Sequence, residues 1–167
     1  VTHLYKLFFH PTHLVGDFDS ISEKDMKRAK KDRAIFIELE QHKNRTDLEA
    51  AYDLAIELNS DEVVLIGGEE GEVDQLFGIL LLCASLSNKI RTTWIQKDYS
   101  IYFQNEILLA LDSGQMFSII PITDLKNLII KGAKWDIDRE LVIFGSSETL
   151  RNESIGNEIK VSIEEGK

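Results

Sequence analysis

Leu14-Val15-Gly16-Asp17-Phe18-Asp19-Ser20 is the stretch on which the fold turns. Leu14-Val15 closes a short apolar strand, Gly16 ends it, and two carboxylates two residues apart lead into a helix-like segment. Alternation along an extended chain would project Asp17 and Asp19 to one side of a strand's carboxyl end, where open α/β sheets bind their ligands. A pair of carboxylates there suits Mg²⁺, which takes one or two protein carboxylates and completes its octahedron with water and phosphate oxygens. The same spacing also suits a solvated turn with an Asx cap. An EF-hand fits poorly, because Ile21 and Ser22 stand where such a loop needs an oxygen ligand and a glycine.

Working outward, β-type runs alternate with segments of helical period as far as Phe103, the pattern of a parallel sheet with crossover helices. Ala34-Ile35-Phe36-Ile37 is the second run. Thr46-Asp47-Leu48-Glu49 spells a capping box, followed by apolar Leu48, Ala51, Tyr52, Ala55 and Leu58 at helical spacing. Glu62 to Ile66 predicts a buried strand ending in Gly67-Gly68, and Gln75 to Leu86 a helix buried on all sides. Ile90 to Ile95 adds one more strand, with Trp94 in its core. Behind Gln104 and Asn105 the texture changes to short, closely spaced β runs: 107–111, 117–122, 128–130, 141–144 and 159–163. The fold class is therefore read as α/β, a Rossmann-like parallel-sheet domain over 1–103 followed by an all-β sandwich over 104–167.

Composition narrows the function. The 167 residues carry 19 basic and 29 acidic side chains, a formal net charge of −10, and 43% are hydrophobic. That describes an ordinary globular chain able to bury a core. The acidic balance argues against nucleic acid, whose binders need a basic face to displace counterions. The longest apolar run is well short of the roughly 18 residues of a membrane span. The sole cysteine, Cys83, lies in an apolar run and reads as a small buried hydrophobe, so no intrachain disulfide is possible and a reducing, cytoplasmic setting is expected. A chain opening on Val1 and closing on Glu164-Glu165-Gly166-Lys167 is expected to be cut from a longer product.

Other residues could carry chemistry. Asp47 stands in the first turn of the capped helix, where a carboxylate also serves as a dipole partner. Gly67-Gly68-Glu69-Glu70-Gly71-Glu72-Val73-Asp74-Gln75 is a glycine-rich strand-to-helix loop, able to turn N–H groups toward phosphates although three acids crowd it. No P-loop signature is present. His3, His10, His13 and His42 show no ligand-like pairing and read as surface histidines. Trp135, in the turn Lys131-Gly132-Ala133-Lys134-Trp135, could stack on a flat heterocycle or pack on a rim.

Taken in order, Gly16-Asp17-Phe18-Asp19-Ser20, Lys43-Asn44-Arg45-Thr46-Asp47, the glycine loop ending Asp74-Gln75, Gly132-Ala133-Lys134-Trp135 and Arg151-Asn152-Glu153 resemble the thiamine pyrophosphokinase family over nearly the whole chain. The resemblance implies transfer of the terminal pyrophosphoryl group of ATP to the hydroxyl of thiamine, giving thiamine diphosphate and AMP. It also implies a homodimer whose sites are shared between subunits. Carried over, Asp17, Asp19 and Asp47 would hold Mg²⁺, with Asp74 as a further catalytic carboxylate. Ser20, Asn44, Thr46, Gly68, Gly71 and Gln75 would bind ATP; Trp135 and Asn152 would face thiamine. Three positions depart from the family pattern: Asn44 stands for an Asp, Glu72 for an Arg and Arg151 for a Ser. Val1 to Tyr5 aligns just after the place of a first strand and an Ala-Asp-Gly-Gly loop. The alternative is a diverged homologue that binds a nucleotide or a thiamine-like ligand as a regulatory protein. A D-x-D sugar-nucleotide transferase would need a larger acceptor domain.

Overall fold

The computed structural model of the protein describes residues 1–40, 45–68 and 71–167. It is a mixed α/β structure made of two compact units, Val1–Val63 and Val64–Lys167. In the first, β1 (His13–Gly16) and β2 (Ile35–Glu38) form a parallel pair in which Leu14 faces Phe36 and Gly16 faces Glu38. Such a pair needs a crossover, and α2 (Glu23–Lys31) supplies it. Ser22 starts α2 by accepting the Asp25 N–H at 3.1 Å. A short helix α1 (Thr2–Lys6), which sequence reasoning missed, docks on α2. Thr2 donates to Asp25, Tyr5 donates to Asp32 at 3.1 Å, and the Arg28 guanidinium lies 3.8 Å from the Tyr5 ring centre. The hydrogen bonds hold both carboxyls below their usual range, chiefly through Thr2 for Asp25 and His10 for Asp32.

α3 (Asp47–Glu57) begins with the predicted capping box: Thr46 Oγ1 accepts the Glu49 N–H at 3.2 Å, and Glu49 Oε2 accepts the Thr46 N–H at 2.9 Å. The helix packs against β1 and buries Tyr52.

The second unit begins within β3 (Glu62–Ile66), the first strand of a three-stranded sheet ordered β3, β4 (Arg91–Ile95), β5 (Ser100–Tyr102), with α4 (Val73–Leu86) between β3 and β4 in sequence. β5 runs antiparallel to β4 and was not predicted. The expectation of a buried β3 fails. Val64 and Ile66 are exposed because they share the open face of β3, and an apolar run is buried only when both faces are covered. α4 is likewise not buried all round. Cys83 and Ala84 are packed inside, whereas Val73, Phe77 and Leu81, spaced by one helical turn each, form an exposed stripe. Trp94 is fully buried as expected and donates from Nε1 to the Gly67 carbonyl at 2.6 Å, tying β4 to the glycine loop.

Beyond residue 105 the structure is all β. A four-stranded antiparallel sheet is ordered β6 (Glu106–Ala110), β11 (Glu158–Ser162), β8 (Leu125–Lys131), β9 (Ile137–Val142). A separate ribbon pairs β7 (Met116–Phe117) with β10 (Asn152–Glu153). Of the predicted strand over 117–122 only Phe117 is extended into a ladder, as the second residue of β7, and Pro121 has no N–H to give one. Leu125, Leu128, Ile130, Ala133, Val142, Ile159 and Val161 form the core. Each fully buried Leu or Ile there contributes about 1.5–3 kcal/mol. Among the described residues no helix is long and apolar enough to cross a membrane.

Candidate active site

The candidate carboxylates of the first unit stand just past the end of β1 and at the start of α3. Gly16 ends β1 at φ +149°, a conformation L side chains rarely adopt, and a Cβ placed on it would lie 2.9 Å from Asp47 Oδ2. The capping box therefore does two things. It starts α3, and it fixes the first helical residue so that the Asp47 carboxylate lies against the strand's carboxyl end. Asp17 follows, half-buried, and its Oδ1 accepts the Asp19 N–H at 3.2 Å. Both acids lie past the last residue of the strand, and Phe18 between them is left-handed at φ 61°, its ring meeting Phe36 edge-on at 5.5 Å. An Asx turn, not strand alternation, sets their geometry. Asp19, Ser20, Thr46 and Asp47 are exposed. Among the described residues no Lys or Arg forms an ion pair with Asp17, Asp19 or Asp47. No three His, Cys, Asp or Glu side chains among them converge as a ready-made metal cage. Asn44 lies outside the described residues.

The glycine loop belongs to the second unit. Gly67 and Gly68 both take φ +85°, which swings the chain from β3 toward α4. A Cβ on Gly68 would meet Ile79 Cδ1 at 3.2 Å; one on Gly71 would meet Gln75 Oε1 at 2.8 Å. Gln75 thus folds back over Gly71, and its own N–H is accepted by Asp74 Oδ1 at 2.9 Å. Glu72 is the N-cap of α4 but makes no side-chain cap bond. Gly68, Gly71, Asp74 and Gln75 are all exposed.

The turn after β8 is built differently. A Cβ on Gly132, at φ +87°, would sit 2.4 Å from the Glu158 carbonyl oxygen, so the backbone there passes where only glycine fits. Residues 132–135 are laced to 152–155: Ile155 N–H to Gly132 O at 3.1 Å, Lys134 N–H to Glu153 O at 2.8 Å, and Trp135 N–H to Asn152 Oδ1 at 3.3 Å. Asn152 Nδ2 donates in return to Trp135 O at 2.7 Å, and Asn152 Oδ1 also accepts the Glu153 N–H at 2.9 Å. Asn152 is only 3% exposed, so its amide is committed to this main chain instead of to an open face. Trp135 is 56% exposed. Arg151 is left-handed at φ 56°, with its N–H held by Ser118 Oγ at 2.9 Å.

Sequence reasoning passed over the structural parts of Lys134 and Glu153, whose side chains meet at 3.0 Å. A cation beside an exposed aromatic, with an acid in the facing motif, was the available signal. His10 joins Asp32 at 2.8 Å and His13 joins Thr12 at 3.1 Å, while His42 lies outside the described residues.

Known proteins resemble both halves of the chain. Residues 1–95 match the family model described as "Thiamin pyrophosphokinase, catalytic domain", and residues 104–167 match "Thiamin pyrophosphokinase, vitamin B1 binding domain". The chain is 29% identical over 150 residues to the thiamine pyrophosphokinase of Bacillus subtilis, covering 87% of this chain and 70% of that protein. The crystal structure of a thiamine pyrophosphokinase from Bacillus subtilis superposes with a TM-score of 0.84 at 27% identity, covering 98% of this chain and 78% of the other. The yeast thiamin pyrophosphokinase shares the fold, with a TM-score of 0.70 at 17% identity over 98% of this chain and 69% of its own. With both family models matched in order over most of its length, the chain belongs to the thiamin pyrophosphokinase family.

Proposed function

We propose that this chain transfers the terminal pyrophosphoryl group of ATP to the hydroxyl of thiamine, with the work divided among its three clusters. It is an ATP-dependent pyrophosphotransferase, as its family membership states. The thiamine hydroxyl oxygen bonds to the β-phosphorus, the bond from that phosphorus to the oxygen bridging the α-phosphate breaks, and AMP departs as the hydroxyl proton is released. Such a reaction needs alignment and charge neutralisation more than a nucleophilic side chain.

The single observation that carries the site assignment is the Asp47 carboxylate lying against the side-chain-free Gly16 at the end of β1. With Asp17 and Asp19 beside that strand end, the first unit offers hard, acceptor-only oxygens without a basic partner among the described residues. This donor set fits Mg²⁺, which is held through one or two carboxylates plus substrate phosphates and needs no all-protein cage. Asp17, Asp19 and Asp47 would hold it; bound there, it would neutralise charge on the phosphate oxygens. Ser20, Thr46, Asn44, Gly68 and Gly71 serve the triphosphate and nucleotide. Asp74 and Gln75 order Gly71 from the start of α4. Trp135 offers its indole to thiamine, and Asn152 acts through it, as the clamp on its main chain. The catalytic half corresponds to a Rossmann-like domain over 1–103 and the thiamine half to a β-sandwich over 104–167. A cytoplasmic homodimer, each site drawing on both subunits, completes the reading.

The test is mass spectrometry of thiamine, ATP and Mg²⁺ incubated with the protein. Equal amounts of thiamine diphosphate and AMP are expected, both lost in Asp47→Asn. A folded protein that binds nucleotide and yields neither product would refute the kinase reading and leave the binding-protein alternative.

A further inference from the structure

We infer that Lys134 is a positioning residue that closes one face of the Trp135 indole and leaves the opposite face as a one-sided stacking plate. The inference rests on the proposal that Trp135 meets thiamine. Lys134 Nζ lies 5.0 Å from the centre of the Trp135 ring, within the range where an ammonium is attracted by an aromatic face. It is not free to wander, because Glu153 Oε2 holds it at 3.0 Å and the Lys134 N–H is bonded to the Glu153 carbonyl at 2.8 Å. Glu153 is in turn anchored by its own N–H on Asn152 Oδ1, the atom that also accepts the Trp135 N–H. Backbone, ammonium and carboxylate thus form one closed circuit around an indole that is otherwise more than half exposed.

Two consequences follow. An exposed tryptophan on a turn would sample several rotamers, and the ammonium on one face removes those that place the ring elsewhere. A flat substrate ring then finds the open face already oriented, which lowers the ordering cost of binding. The second consequence is electrostatic. Thiamine is a cation, and a bare ammonium beside its seat would repel it. Glu153 balances that charge, so the plate is held by a cation without presenting a net positive charge to the substrate.

The experiment compares Lys134→Met, Lys134→Arg, Glu153→Gln and Trp135→Ala in thiamine-dependent kinetics and in acrylamide quenching without substrate. Trp94 is fully buried, so quenching reports Trp135. Lys134→Met should raise the thiamine KM about two- to fivefold, the worth of an exposed cation–π contact, with kcat little changed, and should increase quenching. Lys134→Arg, which keeps both the cation and the partner for Glu153, should restore both readouts. Glu153→Gln should raise the KM more at low salt than at high salt. Unchanged quenching in Lys134→Met would overturn the cap itself. Increased quenching with an unchanged KM would overturn its role in binding. An unchanged thiamine KM in Trp135→Ala would instead refute the stacking reading beneath it.

Discussion

Replacing Gly16 with alanine tests whether the strand end and the helix start are joined for a purpose. The new methyl group would stand 2.9 Å from Asp47 Oδ2, where ordinary contact begins at 3.4 Å, so the carboxylate must withdraw by about 0.5 Å. That movement is inexpensive for the tip of a short side chain. The larger cost is the backbone: φ +149° is a region that L side chains rarely enter, worth about 1–3 kcal/mol. For a chain of this size, that lowers the melting temperature by about 2–12 °C. On the proposed role of Asp47 in holding Mg²⁺, function should suffer separately: the Mg²⁺ concentration for half-maximal rate should rise about tenfold. Differential scanning fluorimetry reads the first effect and a Mg²⁺ titration of AMP release reads the second. Adding Asp47→Ala to Gly16→Ala removes the contact but not the backbone cost, so stability should stay low in the double variant. A Gly16→Ala protein with wild-type melting and a wild-type Mg²⁺ titration would refute the geometry assigned to this corner.

Two further outcomes are expected. Thr46→Ala breaks the capping box of α3 and should cost about 1 kcal/mol, read as a lower urea midpoint, with a rise in the Mg²⁺ requirement because Asp47 loses its fixed starting turn. Acid should loosen the docking of α1 on α2. Asp25 and Asp32 are held below their usual range, so the stability they add is present above the unfolded carboxylate pKa of about 3.9 and is lost as pH falls below it. Urea midpoints measured from pH 5 down to pH 3 should drop more steeply in the wild type than in an Asp25→Asn, Asp32→Asn double variant; parallel slopes would sink the assignment.

The features legible in the sequence are those whose cause is local. The capping box at Thr46 needs only residues three apart, and β1, β2 and β4 announce themselves by short apolar runs. Burial is not local. Val64, Ile66 and Phe77 read as interior because nothing in their own neighbourhood tells a half-covered strand or helix from a buried one. Pro121 was a local cue against a strand over 117–122, outweighed by the apolar residues around it. In the candidate site, residue types and order were readable from Asp17 to Asn152, but their geometry was not. The left-handed Phe18 makes Asp17 and Asp19 an Asx turn. The buried amide of Asn152 serves Trp135, and that could be seen only once β10 lay beside the turn after β8.

Cys83 gives the second unit a built-in reporter. It is the sole cysteine of the chain and is fully buried on the packed side of α4. A thiol reagent can therefore modify the native protein only during excursions that lift that helix away from its neighbours. At saturating reagent the labelling rate becomes the rate of this opening, and at low reagent it becomes its equilibrium. Measured with and without ATP or thiamine, one unmodified side chain would time how each substrate quiets the helix that carries Asp74 and Gln75 at its start.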